Sequence, residues 1–161
     1  MSELANVTLV INGQTYTLQL EPRRTLVDAI REECGLTGTH AGCEHGVCGA
    51  CTVLLDGDPV RACLMFAVQA QGSAIRTVEG LADGETLHPL QRTFMAHHGL
   101  QCGFCTPGFL MLATGALERE PDISDELLLE VLASNLCRCT GYQGIVAAVR
   151  AAAAELRRAE A

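Results

Sequence analysis

Eight of the nine cysteines fall into two groups, and their spacing limits the folds open to this chain. The first group is Cys43-x4-Cys48-x2-Cys51, followed by Cys63. The second is Cys102-x2-Cys105, followed far downstream by Cys137-x-Cys139. Each group offers four thiols, and four thiolates are what a [2Fe–2S] cluster takes. Four thiolates carried on loops also suit a structural zinc ion, and spacing alone leaves that reading open. Either way, the fold must bring Cys63 back to its group across a short gap, and Cys137 and Cys139 back to theirs across a long one. His40, His45, His97 and His98 are not needed as ligands, because each group already has four cysteines.

With 161 residues the chain is long enough for one domain or two small ones, and two metal sites argue for two. Apolar residues make up 48% and aromatics only 4%, so small aliphatic side chains must fill the core. The net charge of −8 excludes a nucleic-acid surface, which needs clustered cations. All eleven basic residues are Arg, which fits compositional drift better than a function. The opening Met1-Ser-Glu-Leu-Ala-Asn6 lacks the basic start and apolar run of an export signal. Charges and glycines interrupt every apolar run, so no membrane span is expected. These features together predict a cytoplasmic chain whose cysteines stay reduced, with metal favoured over disulfides.

Along the chain, 7–11, Asn12-Gly13 and 14–20 read as a β-hairpin with a type I′ turn. Thr25-Leu-Val-Asp28 resembles a capping box opening a helix to about Cys34, with Leu26, Ile30 and Cys34 on one face. Five glycines break the pattern between Gly35 and Gly49 into a loop. Strands at 52–55 and 60–63 around Asp56-Gly-Asp-Pro59 form a second hairpin, and 75–78 a closing strand. After a boundary at 79–84 the periodicity becomes helical: Pro89 to about His98, Thr106 to Leu117, Ser124 to about Ser134 and 143–158. Leu90, Phe94 and Met95 are expected to point inward from the first of these helices, and Leu110, Met111 and Ala113 from the second. The expected class is α+β: an N-terminal β-grasp, ferredoxin-like domain over 1–80, then a C-terminal four-helix unit over 81–161.

The residues between the cysteines fit cluster chemistry. Thiolates around an iron–sulfur core concentrate negative charge, which backbone N–H groups offset if the chain curls closely. Gly42, Gly46 and Gly49 permit that curl around Cys43, Cys48 and Cys51. The Asp56-Gly57 hairpin should return Cys63 to Cys51. In the second half, Cys102 and Cys105 precede the start of a helix, whose positive end favours thiolates. Cys137 and Cys139 lie in another interhelix turn, with Arg138 between them. Cys34 reads as a small core residue, and Met65, Met95 and Met111 as packing.

Four stretches carry a family resemblance: Gly35-Leu-Thr-Gly-Thr-His40, Gly42-Cys-Glu-His-Gly-Val-Cys-Gly-Ala-Cys-Thr52, Gln101-Cys-Gly-Phe-Cys-Thr-Pro-Gly108 and Asn135-Leu-Cys-Arg-Cys-Thr-Gly-Tyr142. On these the chain resembles the iron–sulfur subunit of the molybdenum hydroxylase (xanthine oxidase) family. The resemblance implies two [2Fe–2S] clusters. Cys43, Cys48, Cys51 and Cys63 would hold the one facing a medium, FAD-binding subunit. Cys102, Cys105, Cys137 and Cys139 would hold the one facing a large subunit with a molybdopterin-type molybdenum cofactor. Gln101 and Cys139 match positions that contact the pterin in relatives. It implies electron transfer without bond chemistry on this chain, within a heterotrimer or its dimer. A freestanding ferredoxin-like carrier and a zinc-stabilised adaptor are the competing readings.

Overall fold

The structure, a computed structural model, describes residues 3–160. Met1 and Ser2, read above for an export signal, and Ala161, the end of the second expected domain, lie outside the described residues.

The class is α+β, a mixed sheet with five α-helices. Strand β1 (Ala5–Ile11) turns at Asn12-Gly13 into β2 (Gln14–Leu20). Both turn residues have positive φ, 52° and 78°, as a type I′ turn requires. Thr25 caps α1 (Leu26–Asp28) by accepting the Asp28 N–H at 3.2 Å, and the helix continues over Ala29–Glu33 in the wider π geometry. Strands β3 (Thr52–Leu55), β4 (Asp58–Arg61) and β5 (Ala74–Arg76) complete a sheet of order β2-β1-β5-β3-β4, in which only β1 and β5 run parallel.

The second hairpin differs from the sequence expectation. Its turn is only Asp56-Gly57, and the strand placed at 60–63 lies at Asp58–Arg61. Pro59 is therefore inside β4, which the sheet tolerates because β4 is an edge. Cys63 then falls in a single 3-10 turn, Ala62–Leu64, after the strand.

Four helices follow: α2 (Pro89–Ala96), α3 (Thr106–Arg119), α4 (Asp125–Leu132) and α5 (Tyr142–Glu160). Apolar side chains bury in two clusters, one among the strands and α1, the other among α2 to α5. Leu90, Phe94, Leu110, Met111 and Ala113 are inside as expected, but Met95 is 64% exposed. Helix α2 ends at Ala96, leaving Met95 on its outer face. Cys34 packs against the sheet cluster, where burial pushes its thiol up to about 11. Among the described residues, no helix is long and apolar enough to cross a membrane.

Helix α3 lies directly on the β3–β4 hairpin. Gly108 and Gly115, seven residues apart, share one face, with Gly115 against the hairpin and Gly108 against Gly49 and Ala50 of the adjoining cysteine loop. A Cβ on Gly115 would sit 2.8 Å from Leu54 Cδ2 and 3.1 Å from Pro59 Cδ, so only glycine allows the approach. Two ion pairs fasten the edges, Arg76 to Glu118 at 2.6 Å and Arg119 to Asp58 at 3.0 Å.

His88 caps α2: its Nδ1 accepts the Leu90 N–H at 3.2 Å. Burial holds its pKa below the ordinary value of 6.5; among the surrounding charges, Glu118 and Glu155 oppose that shift and Arg76 and Arg92 add to it. Only the neutral ring can accept, and the unfolded chain takes up the proton first as pH falls. The cap's contribution is thus complete above the unfolded pKa and is lost as pH falls through the folded one. His88→Asn, which caps without titrating, should flatten the decline of the urea midpoint between about pH 7 and pH 5. An equally steep decline in that variant would exclude His88 as the cause.

Candidate iron–sulfur sites

The first cysteine group lies in the irregular segment between α1 and β3 and at the end of the β3–β4 hairpin. Glu44, Gly46 and Gly49 have φ of 58°, 84° and 74°, which curl the loop so that its amides point inward. The Cys48 N–H donates to Cys43 Sγ at 3.4 Å, and the Ala50 N–H to Cys48 Sγ at 3.5 Å. Hairpin pairing of Thr52 with Arg61, and the Ala62 N–H donated to the Cys51 carbonyl at 3.2 Å, bring Cys63 to Cys51. The thiols of Cys43 and Cys48 interact, as do those of Cys51 and Cys63. Backbone donors from Cys48 and His45 lower the Cys43 pKa to about 6. Cys51, away from water, is pushed up to about 12.

The second group spans two interhelix turns. Gly103, at φ 83°, folds Cys102 and Cys105 into a turn that ends at α3. Cys102 meets Cys139, and Cys105 meets Cys137. The Gly141 N–H donates to Cys137 Sγ at 3.4 Å. Tyr142 Oη accepts the Cys137 N–H at 2.9 Å, and Gln101 Nε2 donates to the Cys139 carbonyl at 3.3 Å. The Phe104 N–H lowers the Cys102 pKa, while burial raises Cys105 to about 12.

Within each group the thiols interact in two pairs, and the pairs also sense each other, Cys51 through Cys48 and Cys105 through Cys102. Paired thiols suit a diiron core, whose four cysteines are shared between two irons. A tetrahedral zinc site instead asks for four ligands around one centre. Amides directed at Cys43, Cys48 and Cys137 offset thiolate charge, and the buried thiol of Cys51 and the half-buried thiol of Cys105, both raised by desolvation, would be helped to ionise by a cationic centre. The residues fit a [2Fe–2S] group at each site.

The two sites are neighbours. A cavity of about 360 Å³ is lined by Cys43 and Cys48 of the first group, by Cys102, Cys105 and Cys137 of the second, and by Arg138. His40, not needed as a ligand, is half-buried: its ring stacks on Phe104 with centroids 4.7 Å apart, and its Nδ1 donates to the Phe104 carbonyl at 2.7 Å. The position of Phe104 between two cysteines was the available signal. Sequence reasoning also missed Arg61, Thr52 and Tyr142, whose partners lie on other elements.

Comparison with known proteins agrees. A family model described as a 2Fe-2S iron-sulfur cluster binding domain matches residues 9–82, and one described as a [2Fe-2S] binding domain matches 77–150. The chain is 54% identical to the nicotine 6-hydroxylase small subunit of Paenarthrobacter nicotinovorans, covering 92% of this chain and 89% of that one. It is 53% identical to the caffeine dehydrogenase subunit gamma of Pseudomonas sp. (strain CBB1), covering 89% and 88%. Its fold matches a chain of quinoline 2-oxidoreductase from Pseudomonas putida 86 with a TM-score of 0.91 and 51% identity, over 99% of this chain and all of that one. The chain belongs to the family of small [2Fe–2S] subunits of the molybdenum hydroxylases.

Proposed function

We propose that this chain relays single electrons within a molybdenum hydroxylase, from a large molybdopterin-binding subunit to a medium FAD-binding subunit. One cavity lined by Cys43 and Cys48 of the first set and by Cys102, Cys105 and Cys137 of the second is the observation that carries this reading. In it, a β-grasp unit (1–80) holds one [2Fe–2S] group by Cys43, Cys48, Cys51 and Cys63. A four-helix unit (81–161) holds the other by Cys102, Cys105, Cys137 and Cys139. Each group supplies one-electron redox chemistry when bound. The chain's own residues supply thiolates, amide donors and exclusion of water.

Gln101 and Cys139, already hydrogen-bonded to each other, are the residues proposed to contact the pterin. Exposed apolar side chains surround both sites: Val47 and Leu64 beside the first, Leu100, Phe104 and Leu136 beside the second. Such rims fit fixed subunit contacts better than a diffusing carrier, which docks mainly by charge. A heterotrimer, or its dimer, is the proposed assembly. The relatives named above carry nicotine, caffeine or quinoline in their names, which supports an N-heteroaromatic substrate for the complex.

Anaerobically purified complex should be red-brown, bleach on dithionite, and contain about four irons and about four acid-labile sulfides per copy of this chain. Cys34→Ser should change neither figure. Colourless protein containing zinc, or no metal, would sink the reading.

A further inference from the structure

Three consecutive residues after α4, Ser134, Asn135 and Leu136, lie across the first cysteine loop, and each bonds to it or to the adjoining hairpin. The Ser134 carbonyl accepts from Arg61 Nη2 at 2.9 Å, and its Oγ accepts from the same nitrogen at 3.2 Å. Asn135 Nδ2 donates to the Gly49 carbonyl at 3.4 Å. The Leu136 N–H donates to the Cys48 carbonyl at 2.9 Å. The next residue is Cys137, so one hydrogen bond and the backbone of Leu136 link a cysteine of one set to a cysteine of the other.

A polar chain stands behind these contacts. Arg61 Nη1 donates to Thr52 Oγ1, and that hydroxyl donates to the Gly49 carbonyl at 2.6 Å. The Thr52 N–H reaches the same carbonyl at 3.2 Å. Gly49, between Cys48 and Cys51, is thus held from the hairpin by Thr52 and from the helical half by Asn135. Thr52 and Asn135 are 1% and 2% exposed. Asn135 Oδ1 is buried without a partner among the described residues, and an unpaired buried carbonyl costs stability. A Cβ on Gly49 would overlap that carboxamide, so the contact admits no larger residue.

We propose that Arg61, Thr52 and Asn135 are positioning residues that latch the two cysteine sets together and hold the junction electrons cross between them. The inference rests on the relay function proposed above. One electron leaves the site of Cys102, Cys105, Cys137 and Cys139, which is oxidised, and enters that of Cys43, Cys48, Cys51 and Cys63, which is reduced. No bond breaks and no proton moves. The molybdenum subunit supplies the electron and the flavin subunit removes it. Transfer over such a span is faster through bonded and hydrogen-bonded atoms than across a gap, so a loosened latch slows it without altering either donor set.

The test compares Thr52→Val with Thr52→Ser in the purified complex, since valine keeps the shape and removes the hydroxyl. Thr52→Val should keep full iron content and a normal rate of molybdenum reduction by substrate. Flavin reduction should be slower, and the magnetic interaction between the two reduced centres weaker. The Leu136 amide should exchange about tenfold faster, equivalent to about 1.4 kcal/mol. Thr52→Ser should restore all three. Wild-type flavin reduction and exchange in Thr52→Val would overturn the proposal. If Thr52→Val loses iron, Arg61→Met decides on the same readouts. Wild-type complex without two paramagnetic centres would instead overturn the relay function itself.

Discussion

Replacing Cys105 with serine should leave substrate able to reduce molybdenum while the flavin stays oxidised. Cys105 is half-buried and meets Cys137 across the second site. A serine hydroxyl is far less acidic than a thiol and is a harder ligand, so it does not replace a soft thiolate on iron. Iron in the complex should fall from about four to about two atoms per chain. The signal of the helical site should vanish while that of the other remains. Rapid mixing with substrate, following molybdenum and flavin separately, gives the answer. Normal flavin reduction would contradict the assigned electron order. Cys48→Ser should break the relay at the other site.

Gly108→Ala should produce a large loss of stability for a single methyl addition. Its Cβ would overlap the Gly49 carbonyl oxygen and approach Ala50 Cα to 3.0 Å, and all the atoms it meets are backbone. Neither side has room to yield. Cys48 and Cys51 flank Gly49 and Ala50, and the close approach at Gly115 fixes the far end of α3. Overpacking of this kind costs about 3 kcal/mol, which for a chain of this size lowers Tm by about 6–12 °C. Gly72→Ala is the control. Gly72 has φ 83° and open space around it, so only the left-handed backbone penalty of about 1–2 kcal/mol applies. A thermal melt in which Gly108→Ala loses no more than Gly72→Ala would show that α3 does not rest on that loop.

Features set by neighbouring residues were legible in the sequence. Asn12-Gly13 gave its turn, Pro89, Pro107 and Ser124 marked helix starts, and cysteine spacing gave both donor sets a common reading. Met95 was misplaced because the helix ends one residue later, and periodicity does not report where a face runs out. The β4 shift arose because Pro59 reads as a turn residue locally, yet an edge strand leaves its missing N–H unneeded. The latch was invisible for a different reason. Arg61 and Ser134 are 73 residues apart, and each alone looks like an ordinary solvated side chain. Only the packing of α3 onto the hairpin brings them together. His40 and Phe104 escaped notice in the same way.

The apolar collars around the two sites have a consequence for the cell. A copy without companions would present Val47, Leu64, Leu136 and Phe104 to water and to other copies, and surfaces of that kind self-associate. Synthesis of this polypeptide is therefore expected to be kept in step with that of its partner subunits, with surplus copies removed by proteolysis instead of accumulating.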